Sequence, residues 1–109
     1  ALAEGCVRLG IPFRAYVPFA GYDSRWPEES RARYAKLLGT AVEVVTVCEG
    51  GYAGWKLNRR NERMVDDAAL VLALFDGGES GGTANCVRYA RSQKRVVLNL
   101  WQRFVAGDF

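Results

Sequence analysis

The stretch LVLALFDGGESGGTANCVRYA, residues 70–90, contains the pattern that decides the fold. A run of apolar residues stops at Asp76, four glycines follow within six residues, and a segment with helical periodicity begins near Thr83. An apolar run, a glycine-rich turn and a helical pattern in this order predict a strand, a tight loop and a helix. This unit is typical of proteins in which parallel strands alternate with helices.

The same alternation extends along the chain. Short apolar runs predict four buried strands, at 13–17, 42–48, 70–75 and 96–100. Helical patterns predict four helices, at 1–9, 27–38, 55–68 and 83–93. We therefore expect a three-layer α/β/α fold, in which helices cover both faces of a mostly parallel sheet of about four strands. Because no repeat, linker or low-complexity segment is present, we expect residues 1–109 to form a single domain.

The composition narrows the possible functions. Half of the 109 residues are hydrophobic and a quarter are charged, and a net charge of +3 is too small by itself to predict nucleic-acid binding. No apolar run approaches the roughly 20 residues of a membrane span, no secretion signal is visible, and three well-separated cysteines favour a cytoplasmic location. The absence of histidine excludes Ser-His and Cys-His nucleophile pairs, and we expect neither a cofactor nor a metal site.

Ligands of parallel α/β sheets bind at the carboxyl ends of the strands. The loop and helix start after the third predicted strand contribute five candidate ligand-binding residues, Asp76, Gly81, Gly82, Thr83 and Asn85. The backbone N–H groups of Gly81, Gly82 and Thr83 would open a helix, and such an N-terminus attracts phosphate or carboxylate. The alternative is an ordinary glycine-rich turn in which Ser80 or Thr83 caps the helix.

The predicted helix at 55–68 supplies two more candidates, Arg60 and Asn61. Its predicted buried face consists of Leu57, Asn61, Met64, Val65 and Ala68. A buried amide needs hydrogen-bond partners, so Asn61 would either face a ligand or tie down a neighbouring loop. Arg60 lies at the border of this face, whereas the other basic residues of the helix, Lys56, Arg59 and Arg63, are predicted to point outward.

The remaining strand ends carry aromatic and basic residues. Arg25 and Trp26 follow the first predicted strand, Trp55 opens the third helix, and Trp101 and Arg103 follow the fourth strand. Trp26 could stack on a base or fill a gap under the next helix, and Arg25 beside it favours an anionic planar ligand. Arg25, Trp26 and Trp55 complete the set of candidate ligand-binding residues.

Three stretches together resemble one family, namely GIPFRAYVPFAGYDSRWPEES (10–30), EGGYAGWKLNRRNERMVDDA (49–68) and VLALFDGGESGGTANCVRYA (71–90). They resemble the YpsA-like branch of the SLOG superfamily, Rossmann-like proteins related to LOG phosphoribohydrolases and to DprA. The resemblance runs from Ala1 to about Trp101. It implies a Rossmann-like fold that binds a nucleotide or a nucleotide derivative such as an ADP-ribose-like ligand, with a regulatory or signalling role.

The resemblance also bears on catalysis. LOG-type enzymes carry a GG-x-GT-x-x-E loop whose glutamate takes part in cleaving the glycosidic bond. In this sequence Gly82 and Thr83 match the GT pair, and Arg60 matches the arginine of the RK-x-x-M motif, but Cys86 takes the place of the glutamate. Cys86 itself is predicted to be a small core residue. We therefore expect a binding module that is not an enzyme.

Alternative functions stay open at this point. They are a LOG-type hydrolase of nucleotide N-glycosidic bonds, DprA-like binding of single-stranded nucleic acid, and an assembly protein with a vestigial pocket. The family begins with a strand and a loop that this sequence does not contain, so we expect a domain that is truncated at its N-terminus relative to the family. Exposed strand edges then predict a homo-oligomer, and no membrane partner is expected.

Overall fold

The structure, a computed structural model, describes residues 2–107. Helices and strands alternate in it from one end to the other. In chain order they are α1 (Leu2–Leu9), β1 (Arg14–Val17), α2 (Glu28–Thr40), β2 (Glu43–Thr46), α3 (Gly54–Asp66), β3 (Leu70–Ala73), α4 (Gly82–Ser92), β4 (Val96–Asn99) and α5 (Trp101–Ala106). The predicted α/β class is confirmed, and each predicted element ends within about two residues of its observed bounds. Only α5 was not predicted.

The strands are parallel, as predicted. β1 pairs with β2, with Val17 opposite Thr46, and β3 pairs with β4, with Ala73 opposite Asn99. Each pair is joined by a crossover helix, α2 in the first case and α4 in the second, because parallel neighbours cannot be connected by a tight hairpin. Within the described residues, the hydrogen-bonded strands form two pairs and not the single sheet of about four strands that was expected.

The chain divides into two compact units, Ala1–Lys56 and Leu57–Phe109. In the first unit the buried core is formed by Val17, Pro18 and Phe19. Lys56 belongs to this buried set with 8% exposure, so the prediction that it points outward was wrong. Lys56 lies in the first turn of α3, and its Nζ donates hydrogen bonds to the carbonyls of Glu49 (2.5 Å) and Gly51 (2.6 Å). A buried ammonium requires such acceptors.

In the second unit the core lies between α4 and one face of the β3–β4 pair. The buried side chains are Val65, Ala84, Val87 and Ala90, and α4 packs against both strands. The predicted burial of the strands was only half right, because side chains alternate between the two faces of a sheet. The opposite face keeps exposed apolar residues, namely Leu70, Leu72, Leu74, Val96 and Leu98.

Helix α3 ends in polar contacts that fasten it to α4 and to the start of β4. The Arg95 guanidinium, through Nε and an Nη, donates to the carbonyls of Val65 (3.4 Å) and Asp66 (3.3 Å), where a cation is favourable at a helix C-terminus. The Tyr89 hydroxyl donates to Asp66 Oδ1 at 2.7 Å. Met64 on the predicted buried face of α3 is 45% exposed, so its predicted burial was wrong, whereas Val65 beside it is buried.

Candidate functional site

The glycine loop opens α4 without a side-chain cap. Gly81 is the N-cap residue with φ of 102°, a conformation that favours glycine. Among the described residues no side chain caps this helix, so neither Ser80 nor Thr83 plays the capping role considered from the sequence. The N–H groups of the first turn, from Gly82 onward, have no acceptor within the helix, and the helix dipole makes their surroundings positive. This geometry suits an anion.

The rest of the loop is held by hydrogen bonds from its own side chains and from α4. Asp76 Oδ1 accepts the N–H of Gly78 at 2.9 Å, and a Cβ on Gly78 would come within 3.1 Å of that oxygen. Arg88 donates one hydrogen bond to the Glu79 carbonyl at 2.8 Å and a second to Asn85 Oδ1. The predicted ligand residue Asn85 is therefore engaged with Arg88, a residue that the sequence analysis did not single out.

Asn99, at the end of β4, fixes the carboxyl end of β3. Its Nδ2 donates to the Phe75 carbonyl at 2.8 Å and its Oδ1 accepts the Phe75 N–H at 3.0 Å. The same Oδ1 accepts the N–H of Trp101 at 3.0 Å. One side chain thus ties the backbone two residues beyond β3 to the end of β4, and it also bonds the first residue of α5. The only signal in the sequence was a lone asparagine in an apolar run.

Two clefts adjoin at this end of the sheet. The loop cleft has a volume of about 260 Å³ and is lined by Leu74, Phe75, Asp76, Ser80, Gly81, Gly82, Thr83, Ala84 and Trp101. The strand-end cleft has a volume of about 460 Å³ and is lined by Phe75, Asp76, Gly77, Arg91, Asn99, Trp101 and Gln102. Both clefts share Phe75, Asp76 and Trp101. The start of α4 borders the loop cleft, and the strand-end cleft adds the polar side chains of Arg91, Asn99 and Gln102.

On its other side, the start of α4 borders a cleft of about 370 Å³ against the β3 strand. Asn61 lines this cleft together with Gly82, Thr83 and Cys86. Asn61 Oδ1 accepts a hydrogen bond from Arg60 Nε at 2.9 Å, so the half-buried amide is satisfied in part by its neighbour on α3. Asn85 lies elsewhere, in a smaller cleft of about 180 Å³ that it shares with Asn61 and Cys86.

The ionisation of Cys86 follows from its position. Burial raises the pKa of the Cys86 thiol above its ordinary value of 9.0, and the positive charge of Arg60 acts in the opposite direction with a smaller effect. The thiol is therefore neutral near pH 7, which agrees with the prediction of a small packing residue and disfavours a nucleophile.

The structure brings some of the predicted site residues together and leaves others apart. Four of the predicted residues line the loop cleft, namely Asp76, Gly81, Gly82 and Thr83. Asn61 meets Gly82 and Thr83 on the other side of the loop, with Arg60 bonded to it.

Four predicted residues lie elsewhere. Asn85 lines the smaller cleft, and the other three, Arg25, Trp26 and Trp55, belong to the first unit. Arg25 is exposed. Trp26 packs edge-on against Tyr22 and Tyr34, with ring centroids 5.1 and 5.0 Å apart. Trp55 is 63% exposed.

The described part of the chain offers neither a cluster of metal ligands nor a membrane-spanning helix. Across residues 2–107, no group of three or more His, Cys, Asp or Glu side chains is placed to hold a metal ion. Over the same range, no helix combines the length and the apolar character needed to cross a membrane.

Parallel strands joined by crossover helices, with a glycine loop at a strand end, define an α/β protein of Rossmann-like type. The YpsA family model, described as the YspA SLOG family, matches residues 10–100. The chain therefore belongs to the YspA SLOG family, and the resemblance seen in the sequence is confirmed.

Two curated relatives support this assignment. The uncharacterized SPbeta prophage-derived protein YoqJ of Bacillus subtilis is 32% identical over 85 residues, covering 68% of this chain and 49% of YoqJ. The UPF0398 protein BH1768 of Halalkalibacterium halodurans is 27% identical over 86 residues, covering 78% of this chain and 46% of that protein. The chain spans about half the length of the curated relatives it matches.

Proposed function

We propose that this protein is a nucleotide-binding module, which takes a nucleotide or an ADP-ribose-like derivative and serves a regulatory or signalling role without catalysis. The observation that carries the proposal is the uncapped start of α4, which opens on the loop cleft at the carboxyl end of β3. Membership of the SLOG family supports it, because Rossmann-like proteins bind nucleotides at this edge of the sheet.

Each part of the loop cleft suits one part of such a ligand. The amides of Gly82 and Thr83 would bind a phosphate, and the Thr83 hydroxyl adds a donor. Asp76 is exposed and its carboxylate accepts hydrogen bonds, which suits the hydroxyl groups of a ribose. A carboxylate next to the phosphate would repel it, so we place the sugar and not the phosphate at Asp76.

Glycosidic-bond hydrolysis is the second candidate, because Gly82, Thr83 and Arg60 match the LOG motifs. A neutral thiol at position 86 cannot replace a carboxylate as a proton carrier near pH 7. Incubation with AMP and N6-modified AMP, followed by chromatography of the products, separates the two candidates. We expect no free base, and release of base at a rate that depends on enzyme concentration would favour the hydrolase.

DprA-like binding of single-stranded nucleic acid receives less support. Arg59 pairs with Glu62 at 3.3 Å and Arg63 pairs with Asp67 at 3.2 Å, so acidic partners interrupt the basic face of α3. Nucleic-acid binding relies on uncompensated cations, and its affinity falls steeply with salt. A gel shift with single-stranded oligonucleotides at low salt is expected to show no complex.

Isothermal titration calorimetry tests the proposed function directly. The panel consists of AMP, ADP and ADP-ribose, with adenosine and inorganic phosphate as partial ligands. We expect saturable binding of at least one nucleotide, weaker binding of adenosine because the phosphate contact is lost, and higher thermal stability in the presence of the bound nucleotide. No heat of binding with any of the three nucleotides at millimolar concentration would refute the proposal.

A further inference from the structure

The site described above provides for the phosphate and the sugar of a nucleotide but not for its base. From the sequence, Trp26 or Trp55 was the expected stacking residue, and both belong to the first unit, Ala1–Lys56. The clefts around the glycine loop lie in the second unit. The second unit therefore needs its own aromatic surface if it is to hold a base.

Trp101 is the aromatic residue placed for that purpose. It is half-buried, and it lines both the loop cleft and the strand-end cleft. Phe75 lines the same two clefts from the end of β3. Trp101 therefore provides an aromatic surface that borders the same two clefts as Asp76, one of which also contains the start of α4.

The position of Trp101 is fixed by contacts on several sides. Its backbone N–H donates to Asn99 Oδ1, which also accepts the backbone N–H of Phe75, so one side chain holds the backbone of both residues at the end of β4. The preceding residue, Leu100, donates its N–H to the Ala73 carbonyl at 2.8 Å. The Trp101 ring lies against Phe104 with centroids 5.6 Å apart and planes tilted by 31°. A surface that is already ordered loses little entropy when a ligand stacks on it.

Two polar side chains of the strand-end cleft can read the edge of a base. Gln102 and Arg91 line it, and both are exposed. A glutamine amide both donates and accepts hydrogen bonds, which matches the mixed donor and acceptor edge of a purine. A guanidinium donates only, and it suits ring nitrogens or a second phosphate.

We infer that Trp101 is the base-stacking residue of this site, and hence that the ligands are nucleotides with an intact aromatic base and not sugar phosphates alone. The inference rests on the proposed function. It names the class of ligand, and it assigns base stacking to Trp101, which follows β4, and not to Trp26 or Trp55.

Paired titrations of AMP and ribose 5-phosphate test it, in the wild type and in the variants Trp101→Ala, Trp101→Phe and Trp55→Ala. Base stacking on an aromatic side chain is lost on substitution by alanine, so Trp101→Ala is expected to weaken AMP binding by about tenfold or more. It is expected to leave ribose 5-phosphate binding unchanged. Trp101→Phe keeps a stacking face and the contact with Phe104, and we expect it to bind AMP within about threefold of the wild type.

Trp55→Ala is the matched control, because it removes a 63% exposed indole from the other unit. It is expected to leave both affinities unchanged. If Trp101→Ala weakened both ligands equally, Trp101 would be a structural residue and the inference would be wrong.

If the wild type bound AMP and Trp101→Ala bound it equally well, the inference would be wrong while the proposed function stood. If the wild type bound none of AMP, ADP and ADP-ribose, the proposed function would be wrong and the inference with it.

Discussion

At the scale of single residues, Cys86 is the position that distinguishes the proposed binding module from a LOG-type hydrolase. It lies in α4, one turn after Thr83, and related LOG enzymes carry a glutamate at the matching position. Its thiol is half-buried and lines the cleft that also contains Asn61 and Gly82. Burial disfavours the thiolate, and the charge of Arg60 compensates only in part. The residue therefore packs in the site without providing a proton carrier.

The raised pKa of Cys86 predicts slow alkylation. In the variant Cys6→Ser/Cys48→Ser, Cys86 is the single cysteine. We expect iodoacetamide to react severalfold more slowly with the folded protein than with the same variant unfolded in urea at pH 8, because the thiolate is the reacting species. Adding Arg60→Gln is expected to slow the reaction further, whereas Arg59→Gln serves as the control. Equal alkylation rates in the folded and unfolded protein would contradict a raised pKa of Cys86 in the folded state.

Tyr89 predicts a dependence of stability on alkaline pH. Its hydrogen bond to Asp66 raises the pKa of Tyr89 above the ordinary value of 10.0, with further contributions from desolvation and from the charge of Asp66. A group with a higher pKa in the folded state stabilises the fold below the unfolded pKa, and this contribution disappears as the pH rises through the folded pKa.

The free energy of unfolding should therefore fall more steeply above pH 10 in the wild type than in Tyr89→Phe. Urea titrations between pH 8 and 11 measure this difference. Tyr52→Phe, at a tyrosine that is 78% exposed, controls for the loss of a phenol. Parallel curves for the wild type and Tyr89→Phe would show that the contact with Asp66 does not contribute in solution.

At the scale of elements, local patterns were predictable and long-range contacts were not. The helices α2, α3 and α4 follow from periodicity and from Pro27 and the glycines at their starts, all of which are features of neighbouring residues. Helix α5 was missed because it has six residues, too few for a clear periodic pattern. The hydrogen bonds from Asn99 to Phe75 span 24 positions, and no local pattern encodes them.

The candidate site was predictable to the same extent. The glycine loop was found because glycines and a strand end are visible in the sequence, and Asp76, Gly81, Gly82 and Thr83 do line one cleft. Trp101 was placed at the ligand edge but not selected, because its neighbours in space were unknown. The prediction that Lys56 points outward was wrong because helical periodicity describes only the faces of the helix itself. The carbonyls that bind Lys56, those of Glu49 and Gly51, belong to the preceding loop, which periodicity does not describe.

The turn into α4 depends on Gly81. Its φ of 102° is rarely adopted by other residues, so Gly81→Ala is expected to lower the free energy of unfolding by about 1–3 kcal/mol. Gly82→Ala is the adjacent control, because its added methyl group meets no described atom within 4 Å apart from its chain neighbours and the backbone of its own helix. We expect that change to stay within about 0.5 kcal/mol of the wild type. Equal losses from both substitutions in urea titrations would contradict this account of the turn.

At the scale of the whole molecule, the uncovered face of the β3–β4 pair has consequences for assembly. Five apolar residues on this face are 47–64% exposed, namely Leu70, Leu72, Leu74, Val96 and Leu98. Contiguous exposed apolar residues mark interaction surfaces, and two copies of the same apolar face are complementary to each other. We propose that the protein self-associates through this face.

Multi-angle light scattering tests that proposal. The wild type is expected to have a mass above the 12.1 kDa of a single chain, rising with concentration. Leu72→Lys/Leu98→Lys should restore the single-chain mass, because burying a lysine in the contact is costly. Leu9→Lys is the control at an exposed leucine of the first unit. A wild type that is monomeric at every concentration would rule out self-association.

The central claim is that the start of α4 binds the phosphate of a nucleotide. A calorimetric titration of AMP into the variants Gly82→Ala and Gly39→Ala tests it most directly. Both substitutions add a methyl group that meets no described atom within 4 Å apart from its chain neighbours and the backbone of its own helix, but only Gly82 lines the loop cleft. We predict that Gly82→Ala weakens AMP binding by about tenfold or more, because the methyl group blocks the approach of phosphate to the amides, while Gly39→Ala binds like the wild type. AMP binding that is equally strong in both variants would contradict the claim.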